Sequence, residues 1–360
     1  MFNNLNLGWN NYFQNQINIK PEFHLLMPAR VIIENKNRYV VINENGEYEA
    51  EVTGKLLFDT EALSMFPKVG DWVMIYPYDD DKALIHSVLE RKTIFSRKSA
   101  GSKVSEQVIV TNIDFLFIVQ SCNENFNLRR LERYLLMAKS GGIIPVVTLS
   151  KTDLTNNLDE YKKQVLALFP DTKVISTSSI TDDGIDELHA FIKENNTYAF
   201  VGSSGTGKST LINKLLGFDF LRTNEIRHKD DRGKHTTTRR ELIILPKGGI
   251  LIDTPGMKEF HLWKTDSGFD EIFSEINEFA EECKYGDCKH INETGCAVIK
   301  AVKDGFITKE RYNSFLKLKK EEEYLDSKDD KEYFLQKKDK AKKLSKLIKE
   351  DYRYRDKYRA

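Results

Sequence analysis

Short β-type runs of apolar residues, separated by turn signals, fill the chain between about residues 29 and 95. Asn45-Gly46 separates the second run from the third, and this dipeptide favours the tight turn of a β-hairpin. Five short strands without a convincing helix predict a small barrel. An OB-fold is the favoured interpretation, with another five-stranded barrel as the alternative. The five predicted strands are Arg30–Ile33, Arg38–Ile42, Tyr48–Val52, Gly70–Tyr76 and Leu84–Leu89.

From about residue 108 the pattern changes to buried strands alternating with amphipathic helices, which indicates a parallel sheet covered on both faces. After about residue 270 the chain is helical and highly charged. We therefore expect a barrel domain at 1–98, an α/β domain at 99–270 and a helical domain at 271–360. The predicted α/β strands are Asp114–Gln120, Ile143–Leu149, Val174–Ser176, Tyr198–Val201, Leu242–Leu245 and Ile250–Ile252. The predicted helices contain Leu128–Ala138, Gln164–Leu168, Ile185–Ile192 and Ser209–Leu216.

Composition excludes some classes of protein and leaves partners open. The 360 residues carry 55 basic and 55 acidic side chains, so overall charge predicts no partner. The stretch 337–360 is strongly basic, which fits either a solvated helical end or a phosphate-rich partner. The apolar runs are too short to span a membrane, and the Asn-rich beginning lacks the pattern of a signal peptide. With four cysteines and no export signal, we expect a reducing, cytoplasmic compartment.

A phosphate-binding loop is the strongest motif. Residues 202–209 fit the G-x-x-x-x-G-K-[ST] pattern, between an apolar strand and a helix. Glycines let backbone N–H groups point at phosphate oxygens, and the helix N-terminus adds positive charge. We expect Lys208 to reach the β- and γ-phosphates and Ser209 to bind Mg²⁺. The nucleotide-binding residues predicted here are Gly202, Ser203, Ser204, Gly205, Thr206, Gly207, Lys208, Ser209 and Thr210.

Asp253-Thr254-Pro255-Gly256 follows the last predicted strand. In P-loop enzymes a carboxylate at this point holds Mg²⁺ and the glycine N–H contacts the γ-phosphate, so we assign these roles to Asp253 and Gly256. A long polar stretch before this motif contains a threonine cluster, residues 236–238. One of these threonines is expected to complete the Mg²⁺ shell as the first switch loop. Thr237 and Thr238 are favoured, and a solvent-exposed cluster is the alternative.

Met257 follows Gly256, where many GTPases carry a glutamine that orients the attacking water. A methionine cannot orient water. Either intrinsic hydrolysis is slow, or His235 is brought in as a catalytic group when a partner binds. The alternative for His235 is a surface histidine without a catalytic role.

Ser150-Lys151-Thr152-Asp153 ends another predicted strand as a variant of the Asn-Lys-x-Asp guanine motif. The Asp153 carboxylate can accept hydrogen bonds from guanine N1–H and the N2 amine, which adenine lacks. The stem of Lys151 is expected to lie along the base. Ser150 replaces an asparagine whose amide contacts the base edge and ties loops together, so we expect weaker affinity with selectivity intact. Ser178 and Ser179 lie where backbone N–H groups would support guanine O6.

The order of these motifs is unusual. The guanine motif at 150–153 precedes the phosphate loop at 202–209, and the Mg²⁺ motif at 253–256 follows it. In ordinary GTPases the guanine motif lies downstream of both. The chain is therefore expected to be a circularly permuted GTPase, in which the segment after Gly256 leads directly into the C-terminal region.

A compact cysteine and histidine cluster follows. Three of the four cysteines and one histidine lie within fourteen residues, a spacing that suits a closed tetrahedral Zn²⁺ site. A site without an open position is structural, and the metal would hold together a small domain with few apolar residues. Unligated cysteines are the alternative, and Cys122 is expected to be a core thiol. The predicted ligands are Cys283, Cys288, His290 and Cys296.

Together these motifs resemble the RsgA (YjeQ) family of bacterial, small-ribosomal-subunit-dependent GTPases. The resemblance implies an OB-fold, a permuted GTPase domain and a zinc domain, and maps the family's switch-loop histidine to His235. It also implies GTP hydrolysis to GDP, stimulated by the small ribosomal subunit and its rRNA, late in subunit maturation. We expect a monomer with no membrane association. Further residues that carry the resemblance are Val69–Val73, Arg91–Thr93, Phe126–Tyr134, Gly233–Thr238 and Gly295–Val298.

Two other functions fit parts of the sequence. The first is an RNA-binding scaffold with a structural nucleotide, against which the intact Lys208, Ser209 and Asp253 argue. The second is a P-loop ATPase or kinase, against which Asp153 argues.

Overall fold

The computed structural model describes residues 4–35, 38–60, 62–99, 106–221, 240–253 and 266–324. These residues form two compact units. The first contains those described up to residue 98, together with 106–221, 240–253 and 266–274. The second contains Ser99 and residues 275–324. The expected three-domain division stays a prediction.

The first unit begins with a closed five-stranded barrel. Strand β1 pairs with β2 and with β4, β2 pairs with β3, and β5 lies between β3 and β4. Strands β3 and β5 are parallel and the other neighbours are antiparallel. This arrangement confirms the predicted OB-like barrel. The strands are β1 (Met27–Asn35), β2 (Arg38–Asn43), β3 (Gly46–Val52), β4 (Trp72–Asp79) and β5 (Lys82–Val88).

Two details of the barrel differ from the prediction. The hairpin turn lies at Glu44 and Asn45, one residue early, because Gly46 with φ 129° already pairs with Asn43. A short helix, α2 (Gly54–Asp59), follows β3 and begins where the Thr53 hydroxyl accepts a hydrogen bond from the Leu56 N–H. The apolar residues of α2, at 56–58, are consecutive and not spaced at helical intervals, so periodicity could not predict this helix.

The Asn-rich beginning of the chain packs on the outside of the barrel. Helix α1 (Asn11–Asn18) begins where the Asn10 side chain accepts a hydrogen bond from Tyr12 N–H. Its Phe13 is buried, with its ring centroid 6.0 Å from that of Trp72. Trp72 is itself fully buried.

A buried arginine connects this beginning, the barrel and the chain beyond it. The Arg30 guanidinium donates to the carbonyl of Gly70 at 3.3 Å, to that of Asn112 at 3.0 Å and to that of Leu7. Burial lowers the pKa of Arg30 to about 10. The group is still charged at neutral pH, so its three carbonyl partners offset the cost of removing it from water.

The sheet that carries the predicted motifs is part of the same unit. Strands β10, β9, β8, β11 and β13 are neighbours in that order and all are parallel. Strand β12 is antiparallel to β13. It also pairs with β1 at Ile33 and Glu241, so it connects the parallel sheet to the barrel. The strands are β8 (Phe115–Ser121), β9 (Ile144–Ser150), β10 (Lys173–Ser176), β11 (Thr197–Val201), β12 (Glu241–Ile244) and β13 (Ile250–Asp253).

The helices and the apolar core of this sheet follow the predicted alternation. A buried cluster joins Phe117 and Tyr198 of the sheet to Leu188 and Leu211 of two helices. An additional hairpin of β6 (Ile94–Lys98) and β7 (Glu106–Thr111) was not predicted. The helices of this region are α3 (Leu128–Ser140), α4 (Leu158–Leu168), α5 (Ile185–Phe191), α6 (Lys208–Leu216) and α7 (Asp266–Ile272).

The second unit is small and helical. It contains α8 (Ser274–Glu281), whose first residue belongs to the first unit, α9 (Ala297–Lys303) and a helical stretch over 309–324. The Nε of the buried Arg311 donates to the Glu275 carboxylate at 2.6 Å. In the described parts of the chain, no helix has the length and hydropathy needed to cross a bilayer.

Candidate nucleotide site and metal centre

The predicted nucleotide motifs meet at one edge of the parallel sheet. Strands β9, β10, β11 and β13 end at Ser150, Ser176, Val201 and Asp253, immediately before or within these motifs. Because neighbouring parallel strands present their carboxyl ends at the same edge, motifs that are far apart in sequence become neighbours. The order of motifs along the chain therefore does not prevent them from forming one site.

The phosphate loop has the backbone that its glycines predict. Gly202, Gly205 and Gly207 have φ of 149°, 78° and 89°, which L side chains rarely adopt. At Gly202 a Cβ atom would lie 2.5 Å from the Val119 carbonyl oxygen, so only glycine fits. Helix α6 then begins at Lys208, directly after the loop.

The Lys208 ammonium lies across the loop. Its Nζ donates to the carbonyls of Gly202 at 2.8 Å and Ser203 at 2.7 Å. Burial lowers the pKa of Lys208 to about 8, the Asp253 carboxylate opposes this shift, and the Arg130 guanidinium adds to it. The ammonium is thus partly desolvated, and a phosphate would be a favourable neighbour for it.

Ser150 joins the base motif to the phosphate loop. Its hydroxyl donates to the carbonyl of Thr206 at 2.6 Å, and both residues are buried. The weaker nucleotide affinity expected from the loss of the asparagine amide stays a prediction. The Ser150 hydroxyl is nevertheless long enough to connect the two loops.

Asp153 is oriented by the next loop along the sheet edge. The Ser178 hydroxyl donates to Asp153 Oδ1 at 2.5 Å and accepts hydrogen bonds from the N–H groups of Ile180 and Thr181. Lys151, between Ser150 and Asp153, adopts a left-handed conformation with φ 57°. This network connects the predicted base residues with the Ser178 loop, and their binding roles stay predictions.

Sequence reasoning missed one residue that contacts the phosphate loop and a second that holds the first in place. The Asn125 side chain accepts a hydrogen bond from Ser203 Oγ at 3.1 Å and donates to the Ser204 carbonyl at 3.2 Å. Arg130 donates through Nη2 to Asn125 Oδ1 at 2.9 Å. Both residues lie within or beside the segment that carried the family resemblance, but no general motif marks their role.

Part of the predicted site lies outside the described residues. This applies to the switch-loop histidine and threonines, to the Mg²⁺-motif glycine and to the methionine after it, namely His235, Thr236, Thr237, Thr238, Gly256 and Met257. It also applies to the basic stretch 337–360. Asp253 is described and ends β13.

The four predicted metal ligands converge in the second unit. Their ligand atoms all lie within 4.8 Å of one another. His290 Nδ1 lies 3.6 Å from Cys283 Sγ and 3.5 Å from Cys296 Sγ, and the two sulfurs are 3.8 Å apart. A tetrahedral centre with metal–sulfur bonds of about 2.3 Å and metal–nitrogen bonds of about 2.0 Å requires separations of about 3.8 and 3.5 Å. The cluster can therefore hold a metal ion.

Backbone geometry supports the metal cluster. The Ala297 N–H donates to Cys283 Sγ and the Ile299 N–H to Cys296 Sγ, both at 3.4 Å. Such bonds stabilise the thiolate form that a metal requires. His290 has φ 60°, and its carbonyl accepts a hydrogen bond from Tyr312. Cys296 also caps the N-terminus of α9.

Comparison with known proteins gives the family. A family model described as RsgA GTPase matches residues 88–263, and one described as 50S ribosome-binding GTPase matches 197–337. The small ribosomal subunit biogenesis GTPase RsgA 2 of Vibrio parahaemolyticus is 41% identical over 315 residues, which are 88% of this chain and 84% of that protein. The chain belongs to the RsgA GTPase family. Its relative of the same name from Lactiplantibacillus plantarum is 44% identical over 293 residues, 81% and 82% of the two chains.

Solved structures agree with this membership. YjeQ from Thermotoga maritima superposes with a TM-score of 0.60 at 25% identity, over 83% of this chain and 99% of that chain. YloQ, described as a circularly permuted GTPase, superposes with a TM-score of 0.57 at 22% identity, over 87% and 98%. The predicted permuted GTPase fold is confirmed, and membership in the RsgA family makes the protein a GTP-hydrolysing enzyme.

Proposed function

We propose that this protein binds GTP at the carboxyl edge of its parallel sheet and hydrolyses it to GDP and phosphate. In this proposal the small ribosomal subunit stimulates hydrolysis, and the protein acts in late maturation of that subunit through contacts with rRNA. The observation that carries the nucleotide site is the hydrogen bond from Ser150 to Thr206 at 2.6 Å. It joins the guanine motif to the phosphate loop, so one nucleotide can contact both.

Each described residue has a distinct role in this proposal. Asp153, held by Ser178, accepts the N1–H and N2 hydrogen bonds of guanine. The N–H groups of the phosphate loop bind the phosphates. Lys208 exchanges its two carbonyl partners for the β- and γ-phosphates. Ser209 and Asp253 would hold Mg²⁺, which when bound neutralises charge that develops on the phosphates.

The proposal also gives roles to switch residues that lie outside the described part of the chain. Thr237 or Thr238 completes the Mg²⁺ shell, and the N–H of Gly256 contacts the γ-phosphate. Met257 offers no group that orients water. His235 takes that role when the ribosomal subunit is bound, which would make turnover depend on the partner.

The metal centre is proposed to hold zinc with a structural role. Three thiolates and an imidazole are the ligand set that zinc prefers, and they leave no open position for substrate. The ion would be the main link between the segment around Cys283 and Cys288 and the N-terminus of α9.

Further expectations belong to the same proposal. The relatives are proteins of small-subunit biogenesis, so the partner proposed for this chain is the small subunit with its rRNA. The barrel and the basic stretch 337–360 would contact phosphates of that RNA. We place the protein in the bacterial cytoplasm as a monomer with three domains, 1–98, 99–270 and 271–360.

GTP turnover in the presence of purified small ribosomal subunits tests the proposal. We expect at least a tenfold increase in kcat with small subunits and a smaller change with large subunits. Lys208→Ala should remove activity by on the order of 100-fold or more, because it removes a cation from the phosphates. Lys214→Ala, on the same helix but paired with Asp182, is the matched control and should keep wild-type activity. Turnover that is unchanged by small subunits would contradict the proposed partner.

A further inference from the structure

A second cation lies beside the phosphate loop. Arg130 is in the first turn of α3, and its Nη2 donates to both the carbonyl and the side-chain oxygen of Asn125. Asn125 in turn bonds Ser203 and Ser204 of the phosphate loop. Arg130 is therefore attached to the first half of the loop, through one intermediate residue.

This position corresponds to one end of a bound triphosphate. Lys208 Nζ lies over the same half of the loop, on the carbonyls of Gly202 and Ser203. The phosphate-loop lysine reaches the β- and γ-phosphates, whereas the helix that follows the loop begins beneath the phosphates nearer the nucleoside. The attachment of Arg130, through Asn125, to Ser203 and Ser204 thus places it at the γ-phosphate end.

The Arg130 guanidinium has unused hydrogen-bonding capacity. Its Nε is buried and has no hydrogen-bond partner among the described residues. No carboxylate in the described part of the chain forms an ion pair with it. Burying an arginine N–H without an acceptor is unfavourable, and so is placing the arginine near Lys208, whose pKa it lowers. An anion bound between the two cations would relieve both costs.

We propose that Arg130 is a second phosphate-binding cation, which donates to the terminal phosphate of the bound nucleoside triphosphate. Asn125 holds the guanidinium in place through Nη2, and Nε is left as a donor for the phosphate. The guanidinium binds a phosphate oxygen that the diphosphate product lacks, so it favours GTP over GDP. This inference rests on the nucleotide site of the proposed function and adds a residue to it.

The competing interpretation is structural. Arg130 could serve only to hold Asn125, and through it the phosphate loop. In that case its removal would loosen the loop and weaken diphosphate and triphosphate binding equally, because the loop contacts phosphates that both nucleotides share. The ratio of the two affinities therefore separates the interpretations.

The experiment measures Kd for GDP and for the non-hydrolysable analogue guanosine 5′-(β,γ-imido)triphosphate, with Mg²⁺, by calorimetry. For Arg130→Gln we expect the Kd of the analogue to rise about tenfold, equivalent to about 1.4 kcal/mol, and that of GDP to change less than about twofold. Arg130→Lys should give a smaller rise, because an ammonium keeps the charge but not the planar fork. Lys163→Gln, which removes an exposed charge on α4, should change neither value.

Asn125→Ala provides the structural comparison. It removes the bonds to Ser203 and Ser204, so it should weaken both nucleotides. The melting temperature of nucleotide-free Arg130→Gln should match that of the wild type, because losing the bonds to Asn125 is offset by removing a buried donor that has no acceptor. Equal weakening of both nucleotides by Arg130→Gln, or no effect on either, would overturn the inference. If the wild-type protein bound neither nucleotide, the proposed function would fail and this inference with it.

Discussion

The two units of this protein are each stabilised internally, and by different means. The first has extensive apolar cores, one inside the barrel and one between the parallel sheet and its helices. The second buries far fewer apolar side chains among its described residues, but it gathers three thiols and an imidazole within 4.8 Å. The buried apolar residues of the second unit are Ile276, Val298, Ala301, Ile307, Phe315 and Leu318.

The difference follows from size. A short segment exposes too much surface for its volume, and its apolar burial does not offset the conformational entropy lost on folding. Metal ligation adds free energy that is independent of core size. The larger unit needs no such addition, so its polar side chains at the sheet edge are available for a nucleotide. In the proposed function the same chain thus uses a polar cluster for stability in one unit and polar clusters for chemistry in the other.

Removal of the metal should have the largest effect, confined to the second unit. We expect chelation or Cys288→Ser to remove about 10 kcal/mol of stabilisation from residues 275–324 and to unfold them. Hydrogen exchange resolved by peptide would report this loss, while the first unit keeps its protection. Cys122→Ala, which removes the buried cysteine outside the cluster, is the control and should keep the metal content. If residues 275–324 kept their protection from hydrogen exchange after complete removal of the metal, the second unit would not depend on it.

Truncation of a large side chain in the core should destabilise the first unit and leave the second unit unaffected. Phe117 is fully buried and its ring lies 4.7 Å from that of Phe200, so Phe117→Ala should cost the first unit about 3–5 kcal/mol. Denaturant titration followed by circular dichroism would measure the loss. Metal content should be unchanged, because the cluster does not depend on this core. Loss of metal in a variant whose second unit is still protected from exchange would contradict this independence.

Polar substitution at the sheet edge should change selectivity more than stability. Asp153→Asn replaces an acceptor by a group that donates to the base, so the preference for GTP over ATP should fall on the order of 100-fold, about 2.7 kcal/mol. Competition binding would measure this ratio, and the melting temperature should change little. A ratio that did not move would favour the ATPase or kinase interpretation.

The smallest expected effect tests the connection between the loops. Ser150→Ala leaves the Thr206 carbonyl without its partner and should weaken GTP binding by about 1 kcal/mol, roughly fivefold. Ser176→Ala is the matched control at the neighbouring strand end. Its buried hydroxyl has no partner among the described residues, so binding should be unchanged. Equal effects of the two substitutions would show that the Ser150 hydroxyl does not connect the loops.

Sequence reasoning predicted the architecture better than the contacts. Strand positions followed from apolar runs, and the phosphate loop and metal ligands from fixed spacings, because periodicity and motif spacing are local properties. Helix α2 escaped prediction because it is only six residues long and its apolar residues are consecutive. The Ser150–Thr206 and Asn125–Ser203 bonds join residues more than fifty positions apart, and no local pattern encodes such a contact. The hydrogen bond from Ser150 to Thr206 could be seen only once the fold had brought the two loops together.

The burial of Arg30 has a consequence for synthesis of the chain. Its carbonyl partners belong to Leu7, Gly70 and Asn112, and the last of these lies beyond the final barrel strand, which ends at Val88. Until Asn112 has left the ribosomal exit tunnel, this guanidinium has no complete set of acceptors, and desolvating it is unfavourable. The barrel should therefore complete its folding only after part of the following domain has been translated, and a fragment that stops at residue 98 should be less stable than its own core suggests.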